Sequence, residues 1–460
     1  MVGSERVRVA TVLVVVVAAA LGMASACTGG EGAGNETGSG AGAGAATAVS
    51  TGGLGPGGSG GGAGAGGDGD APPAADPYGC DETSVSTDAL GWQPGADVTS
   101  ELTSILATLE TGATLCFDAL YEVSPPAETI EIPDGVVLSA QVGGGLRVRD
   151  VPSLPNRGLF SLGEGVVLDN LTIIDEGELT GDDAATVNNR RLLLCDGKTN
   201  IVLHHVAIDV YTKEHLRMVG CRDLRVTGSS FRHGYFQLLV GASSGLTVET
   251  SLFADSAGDG IKTGFTNDGD VHDIVVRDSA FEGHARDGID TTGGFRDSLV
   301  SGSVFRDSFS GLDIKTIYEN EKDTQLPSSN RNIRIENCEF IDTGSAAVVI
   351  TTLDRVTPQH VTDANAATAL AHDVTITDSI IEKTDGGNFV QAFLVKDGHG
   401  ITWSNLQLLG GLREARIYGN DGSPPRPTLN MTNWNVGGDV VEGPSRGPTS
   451  HRPFDVVGPR

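Results

Sequence analysis

Basic residues are scarce in this sequence. The chain has 31 Lys and Arg residues against 60 Asp and Glu residues, which gives a formal net charge of −29. A protein this acidic repels phosphate backbones and anionic headgroups, which argues against nucleic acid or an anionic membrane surface as a partner. The 10 His and 6 Cys residues show no Cys-x-x-Cys pair and no His-rich spacing that suggests a zinc site.

Most of the chain also lacks segments long enough for a helix, because one short strand-like pattern repeats along it. An apolar–x–apolar segment is followed by Ser or Cys, any residue, and a large apolar side chain. The clearest repeats end at Phe231, Phe253, Phe281, Phe305 and Phe340. The series continues in both directions with Ile173, Ile208, Ile381, Leu408 and Val436. The repeated positions favour strands, since they hold Val, Ile, Thr, Ser and Phe.

Repeats of about two dozen residues are typical of a solenoid. Leucine-rich repeats share this period, but a repeat made only of short strands and turns predicts a parallel β-helix, in which each coil buries its apolar face on the next. Ser and Phe, two residues apart, should then form internal ladders at the ~4.8 Å inter-strand spacing. Three longer gaps predict inserted loops at Glu176–Asn200, Ile317–Asn332 and Thr352–His372.

The first 27 residues indicate export. Arg6 and Arg8 precede a long apolar run, and the small residues Ala24-Ser25-Ala26 stand before Cys27. This order is typical of a secretory signal, and a Cys after small residues resembles a bacterial lipoprotein box, in which the Cys is lipidated. An uncleaved membrane anchor is the alternative. Both predict a location on the extracellular face of a bacterial membrane, and the first holds the chain there only through the lipid on Cys27.

Composition divides the rest of the chain into three parts. Residues 28–75 are nearly all Gly, Ala, Ser and Thr, which predicts a disordered tether. The β-helix is predicted at 76–440 and a loose polar tail at 441–460. Within the domain, Asp97–Gly112 has the periodicity of an amphipathic helix, which we expect to cap the open edge of the first coil. We expect a monomer.

Five cysteines remain besides the one in the signal segment. Cys80 and Cys116 can staple the start of the domain. Cys195 and Cys221 are about one coil apart, so a bridge between neighbouring coils is the interpretation. Cys338 takes a Ser position of the internal ladder and is predicted to be a buried free thiol.

The helix is followed by three short strand-like segments, at 114–117, 121–123 and 130–132. This order resembles the start of pectate-lyase-like β-helix proteins, and the resemblance extends over roughly residues 95–440. It implies an all-β fold, a single-stranded right-handed parallel β-helix with an N-terminal capping helix. Lyases, glycosidases, epimerases and non-enzymes share that architecture, so the fold alone gives no function.

Charged residues recur on the second strand of three consecutive coils, at 258–264, 286–293 and 310–316. Alignment on the apolar residue at the centre of each strand places Lys262, Asp290 and Asp313 in one outward column. Lys315 lies one strand step beyond Asp313. Asp259 and Asp287 form a second column at the preceding turn.

Two interpretations of this set remain open. It is either a solvated row of turn residues with salt bridges, or the site of a β-elimination on an acidic polysaccharide. In the second case Asp259, Asp287, Asp290 and Asp313 supply oxygen ligands for Ca²⁺, which clamps the substrate carboxylate and acidifies the neighbouring proton. A lysine then removes that proton.

The Asp287–Asp290 stretch and a nearby lysine are similar to the calcium and base elements of family nine polysaccharide lyases. The resemblance implies that Asp287, Asp290 and Asp313 are calcium ligands and that Lys315 is the base. Lys262 competes for the role of base, because its Gly-Ile-Lys-Thr-Gly element precedes the Asp pair instead of following it.

Four further residues are candidates for substrate contact: His233, His284, Arg286 and Tyr318. We therefore predict an extracellular carbohydrate-active protein, a calcium-assisted lyase of an acidic polysaccharide. The alternative is a non-catalytic surface protein that binds glycan or a cell-wall partner.

Overall fold

The chain winds as a right-handed parallel β-helix, as the sequence predicts. A computed structural model describes residues 78–175, 190–264, 270–318, 329–354, 371–384, 391–395, 398–410, 415–417, 429–432, 435–436 and 456–457. Three parallel sheets, here called A, B and C, run along the coil axis, and a typical coil contributes one strand to each. One continuous apolar core fills the interior.

The strands are short and follow one another in the order A, B, C through the middle of the fold. Sheet A contains Val85–Ser86, Thr114–Phe117, Val137–Ala140, Val167–Asp169, Val202–His204, Arg225–Thr227, Thr247–Glu249, Val271–His272, Val275–Arg277, Phe295–Ser301, Arg331–Glu336, Ala371–Thr377, Gly398–His399, Ile401–Ser404, Leu429–Thr432 and Val456–Val457. Sheet B contains Leu120–Val123, Gly145–Val148, Thr172–Asp175, Ala207–Asp209, Ser230–Arg232, Leu252–Ala254, Ala280–Glu282, Val304–Arg306, Glu339–Ile341, Ile380–Glu382, Gln407–Leu409 and Asn435–Val436. Sheet C contains Ile130–Ile132, Phe160–Leu162, Arg191–Asp196, Glu214–Val219, Phe236–Gly241, Asp259–Thr263, Asp287–Thr291, Ser310–Tyr318, Ala346–Asp354, Gln391–Val395 and Ala415–Ile417.

A stack of phenylalanine rings fills sheet B's side of the interior. The rings of Phe231, Phe253, Phe281, Phe305 and Phe340 are 0% exposed. Successive ring centroids are 5.0, 4.9, 4.8 and 5.1 Å apart and the planes are within 11° of parallel. The spacing equals that of neighbouring strands, so the predicted ladder is confirmed and the rings fix the vertical register of the coils.

A serine ladder lies beside the rings. The backbone N–H of Ser251 donates to Ser279 Oγ at 3.1 Å, and Ser279 Oγ donates to the carbonyl of Arg277 at 2.7 Å. The same pair of bonds is repeated at Ser229, Ser303 and Ser379. Each hydroxyl therefore satisfies a backbone donor of the coil before it, at a corner where no strand partner is available.

Residues with positive φ mark the corners of the coil. Between sheets A and B they include Asn170, Asp278, Asn337, Asp378 and Asn405, with φ from 48° to 53°. Asp and Asn tolerate this left-handed conformation better than other residues with side chains, which explains why they are frequent at these corners. Gly245, at a corner between sheets C and A, has a φ of 71° and a Cβ there would be 2.7 Å from Asp223 Oδ1.

The capping helix is shorter than predicted and spans Thr99–Leu106. Its buried residues Leu102 and Leu106 join the core, as a cap requires. The predicted end at Gly112 is wrong, because the backbone N–H of Gly112 already bonds Gly135 O at 3.0 Å and belongs to a corner of the first coil.

The cysteine assignments are confirmed. Disulfides join Cys80 to Cys116 and Cys195 to Cys221, with Cα–Cα distances of 5.6 and 6.3 Å. Cys338 is a buried free thiol, and burial raises its pKa to about 12. The second disulfide links neighbouring coils, because Cys195 pairs in register with Met218, three residues before Cys221.

Parts of the predicted loops are strands. Arg191–Asp196, Arg331–Glu336 and Ala371–Thr377 continue the sheets, since each pairs with both neighbouring coils. Val456–Val457, within the predicted tail, pairs with Leu429–Asn430. The signal segment, Cys27 and the tether at 28–75 lie outside the described residues. No helix in the described part of the chain is both long and apolar enough to cross a membrane.

The serine ladder predicts a specific loss of stability in Ser279→Ala. The N–H of Ser251 would lose its acceptor in a buried position, so the free energy of unfolding should fall by about 1–3 kcal/mol. Chemical denaturation measures this. Ser153→Ala, at an exposed position, should change it by less than about 0.5 kcal/mol. Equal effects in the two variants would contradict the role of the ladder.

Candidate functional site

Three consecutive strands of sheet C hold the predicted charged residues: Asp259–Thr263, Asp287–Thr291 and Ser310–Tyr318. Their central apolar residues pair in register and are buried, so the alignment made from sequence is confirmed. The next position along holds Lys262, Asp290 and Asp313 as direct strand partners. The side chains of each strand alternate between the two faces, so this charged column lies on the face opposite to the core.

The lysines and aspartates form one connected cluster. Lys262 Nζ contacts Asp290 Oδ2 and lies 4.0 Å from Asp259 Oδ2. Lys315 Nζ lies 2.9 Å from Asp290 Oδ1, 2.8 Å from Asp313 Oδ2 and 3.9 Å from Asp287 Oδ2. Asp290 is thus shared by both lysines. We call these six residues, Asp259, Lys262, Asp287, Asp290, Asp313 and Lys315, the carboxylate–lysine cluster.

The cluster is much less accessible than a solvated row of turn residues would be. Asp259 is 0% exposed, Asp290 1% and Lys262 6%. The side chains of Lys315 and Asp313 are the most accessible, at 17% and 15%. The outward column predicted from the sequence is therefore part of a buried cluster with one accessible edge.

Burial and crowding of like charge raise the proton affinity of several carboxyl groups. Burial, followed by the charge of Asp290, raises the pKa of Asp259 to about 7. Burial and the charges of Asp313 and Asp290 raise the pKa of Asp287 well above its ordinary range. Burial acts in the same direction on Asp290, but Lys262 and Lys315 outweigh it and its pKa is lowered. With every group ionised, the four carboxylates and two ammonium groups would carry a formal charge of −2, which is costly in a buried place. Protons on the carboxyl groups with raised pKa values relieve part of this cost.

The donor set fits a hard divalent cation. Asp259, Asp287 and Asp290 each offer a carboxylate oxygen, and these oxygens lie within 4.8 Å of one another. Asp259 Oδ2, Asp287 Oδ1 and Asp313 Oδ1 are buried and accept no hydrogen bond. Buried carboxylate oxygens without donors are the ligands that Ca²⁺ prefers, and a divalent cation would cancel the charge balance.

Asn330 fixes the backbone around Lys315, and sequence reasoning missed it. Its Nδ2 donates to Thr291 Oγ1 at 2.9 Å and to Lys315 O at 2.8 Å, and Thr291 Oγ1 accepts the N–H of Lys315 at 3.2 Å. Asn330 is fully buried. It stands in a segment that the lengthened repeat predicted to be a loop, so no sequence signal connected it with the cluster.

The four predicted substrate contacts are not brought together. His284 lies inside the coil, 2% exposed, with Nδ1 2.8 Å from Ser256 Oγ and a pKa lowered by burial to about 3. It cannot contact a substrate there. Arg286 is exposed directly before Asp287, beside the cluster. Tyr318 ends its strand, and its side chain lies outside the described residues.

His233 belongs to a different corner. It lies between sheets B and C with a φ of 60°, as a turn residue should. Its Nδ1 lies 2.5 Å from Asp209 Oδ1 and its ring stacks on Tyr211 with centroids 4.4 Å apart. The hydrogen bond to Asp209 raises the pKa of His233, although partial burial opposes this.

Comparison with known proteins gives structural neighbours only. No family model and no curated protein matches the sequence. PfbA, a surface adhesin of Streptococcus pneumoniae, is 15% identical with a TM-score of 0.58, covering 77% of this chain and 91% of its own. An exopolygalacturonase from Thermotoga maritima is 12% identical, with a TM-score of 0.55 and coverage of 77% and 92%. A polygalacturonase from Erwinia carotovora is 15% identical, with a TM-score of 0.53 and coverage of 72% and 98%.

The chain shares their fold. That fold is the right-handed parallel β-helix, as the resemblance noted in the sequence implies. At these identities the likeness carries no assignment of activity, because one such scaffold supports both an adhesin and hydrolases.

The raised carboxyl pKa values predict how stability depends on pH when calcium is chelated. A carboxyl group whose pKa is raised in the folded state favours folding below its unfolded pKa of about 4, and this contribution is lost as pH rises through the folded value. For Asp259 the loss should be on the order of 2–4 kcal/mol between about pH 4 and pH 7.5. Asp259→Asn should flatten the dependence of the unfolding free energy on pH. Asp307→Asn, at an exposed position, should not, and equal slopes would contradict the account.

Calcium should stabilise the native chain. At 100 times its Kd, a cation that binds only the folded state adds about 2.7 kcal/mol to the free energy of unfolding. Thermal unfolding in calcium and in chelator measures this difference. Asp287→Asn should remove most of it, whereas Asp307→Asn should retain it. A wild-type chain that melts identically in calcium and chelator would show that the cluster holds no calcium.

Proposed function

We propose that this chain is a carbohydrate-active β-helix protein that cleaves an acidic polysaccharide by β-elimination with the assistance of calcium. The observation that carries the proposal is an accessible lysine, Lys315, at the edge of a buried carboxylate set that lacks hydrogen-bond donors. This elimination needs a cation site and an amine base, and the residues proposed for the two parts, the carboxylates and Lys315, lie within 4 Å of one another.

Asp259, Asp287, Asp290 and Asp313 would hold the cation. When bound, calcium supplies charge that clamps a uronate carboxylate and acidifies the proton next to it. The carboxylates of the chain and of an acidic substrate would repel one another, but a cation between them would attract both. Asn330 and Thr291 hold the backbone of Lys315, so its amine is offered from a fixed strand.

Lys315 is the better candidate for the base. Its side chain is 17% exposed, against 7% for Lys262, so it is the lysine that a polymer can approach. Burial acts to lower its pKa, but the charges of Asp313, Asp290 and Asp287 raise it, so the amine is protonated while it serves as their counter-ion. With a cation among those carboxylates, the ammonium would have less counter-charge, and the pKa of Lys315 would fall toward the range of a general base.

The surroundings of the site form part of the same proposal. A lipid on Cys27 and the tether at 28–75 would hold a monomeric β-helix on the extracellular face of a bacterial membrane, where acidic polysaccharides are encountered. This arrangement needs no other contact with the membrane, in agreement with the net charge of −29.

A second candidate is a non-catalytic glycan- or wall-binding protein. Asp290 is 1% exposed and contacts both lysines, and a purely structural ion-pair network would have the same geometry. The surface adhesin of Streptococcus pneumoniae shows that the same scaffold occurs in a protein described by adhesion.

Activity assays separate the two candidates. With calcium and a panel of pectate, alginate and glycosaminoglycans, β-elimination should give short-wavelength ultraviolet absorbance from the conjugated carboxylate of unsaturated uronate ends. Lys315→Gln should lower the rate by about 10²–10⁴-fold, because it removes the base. Lys198→Gln, at an exposed ion pair far along the chain, should not change it. New reducing ends without absorbance would indicate hydrolysis instead, and binding without any cleavage would favour the second candidate.

A further inference from the structure

A column of side chains borders the carboxylate–lysine cluster at the corner where the chain enters sheet C. The residue directly before each of five consecutive strands is Lys213, Tyr235, Gly258, Arg286 or Phe309. The strands that follow pair in register, so these five residues lie one above another along the coil axis. We call them the entry column. Four coil steps of ~4.8 Å give it a length of roughly 19 Å.

The ring of Tyr235 organises two cations of this column. Lys213 Nζ lies 4.3 Å from the ring centroid and Arg286 Cζ lies 5.9 Å from it, both within the range of cation–π attraction. Arg286 belongs to a strand two coils away and reaches the ring past Gly258. A Cβ on Gly258 would clash with Tyr235 O and lie 3.1 Å from Tyr235 Cδ1, so no side chain fits at this position between Tyr235 and Arg286.

Neither cation forms an ion pair with a described residue. Among the described residues no carboxylate oxygen lies within 4.0 Å of Lys213 Nζ or of the Arg286 guanidinium. Burial lowers the pKa of Lys213, and the charge of Arg286 adds to this against the opposing effect of Glu214. Burial acts to lower the pKa of Arg286, but the charges of Asp259, Asp290 and Asp287 raise it from beyond ion-pair distance. Two cations that share a ring, with no described carboxylate oxygen within 4.0 Å of either, can bind an added anion.

Phe309 extends the column with an apolar face. Phe309 is 57% exposed, more than any other described phenylalanine. Its backbone N–H donates to Arg286 O at 2.7 Å. An exposed aromatic ring beside a guanidinium suits a ligand that alternates apolar C–H faces with negative groups, and a uronate chain has that character. The residues that follow Gly258 and Arg286 are Asp259 and Asp287 of the cluster.

We propose that the entry column is a binding track for an acidic polysaccharide chain that lies along the coil axis. Sugar carboxylates bind Lys213 and Arg286, which Tyr235 holds in place, and a sugar ring packs on Phe309. The track delivers neighbouring sugars to the accessible edge of the cluster. It takes its substrate class from the proposed function, but the binding itself requires no cleavage.

Isothermal titration calorimetry with oligogalacturonate and oligomannuronate tests the track. The full chain carrying Lys315→Gln is the parent, so that the probes are not consumed, and calcium is present at constant ionic strength. Adding Lys213→Gln and Arg286→Gln should weaken uronate binding at least about 10-fold, because two charge-assisted contacts are lost. The matched control adds Arg225→Gln and Arg306→Gln, exposed residues of sheets A and B that change the net charge equally. It should bind like the parent.

Three outcomes would overturn the track: a parent that binds neither uronate oligomer, a track variant that binds like the parent, or a control that weakens as much as the track variant. If the circular dichroism of the track variant shows that it does not fold, Phe309→Ser takes its place with an expected loss of about 3-fold or more, and unchanged affinity there overturns the proposal as well. The elimination assay remains a separate readout. If the column binds uronate but no unsaturated ends form, the proposed lyase activity is contradicted and the binding track is supported. If unsaturated ends form but the track variant binds with unaltered affinity, the track is contradicted and the lyase activity is supported.

Discussion

The vertical register of the coils is the constraint on which the rest of the structure depends. A parallel β-helix has no turn that fixes one coil against the next, so side chains must set the register. Here the stacked phenylalanine rings and the serine hydroxyls do so, because each ring contacts the ring of the next coil and each hydroxyl accepts an N–H from the coil before. A slip by one residue would exchange the inner and outer faces of every strand.

The same register brings charges together that are far apart in the sequence. Lys262, Asp290 and Asp313 are 51 residues from first to last, yet they are successive partners across sheet C. Carboxylates on adjacent strands repel one another, and burial increases the effect. The fold tolerates this cost because the two lysines compensate part of it. The uncompensated remainder is the physical reason to expect a cation or protons in the cluster.

The repeat pattern predicted the β-helix, a bridge between neighbouring coils at Cys195 and Cys221, the buried Cys338 and the strand pairing of the charged residues. These features depend on spacing along the chain, which the sequence displays directly. The burial of the cluster and the interior position of His284 were not predicted, since they depend on how a corner turns and on what covers it. Asn330 was not predicted because its segment lacks the repeat pattern. The entry column was not predicted because Tyr235 and Arg286 lie two coils apart and the coil between them contributes only Gly258.

The central claim is that the carboxylates of the cluster exchange lysine for calcium. A crystal structure of the chain at saturating calcium tests it most directly. The account predicts a cation about 2.3–2.6 Å from oxygens of Asp259, Asp287 and Asp290, with the Lys315 amine withdrawn from Asp290. Both lysines still paired with Asp290, and no cation among the carboxylates, would contradict it.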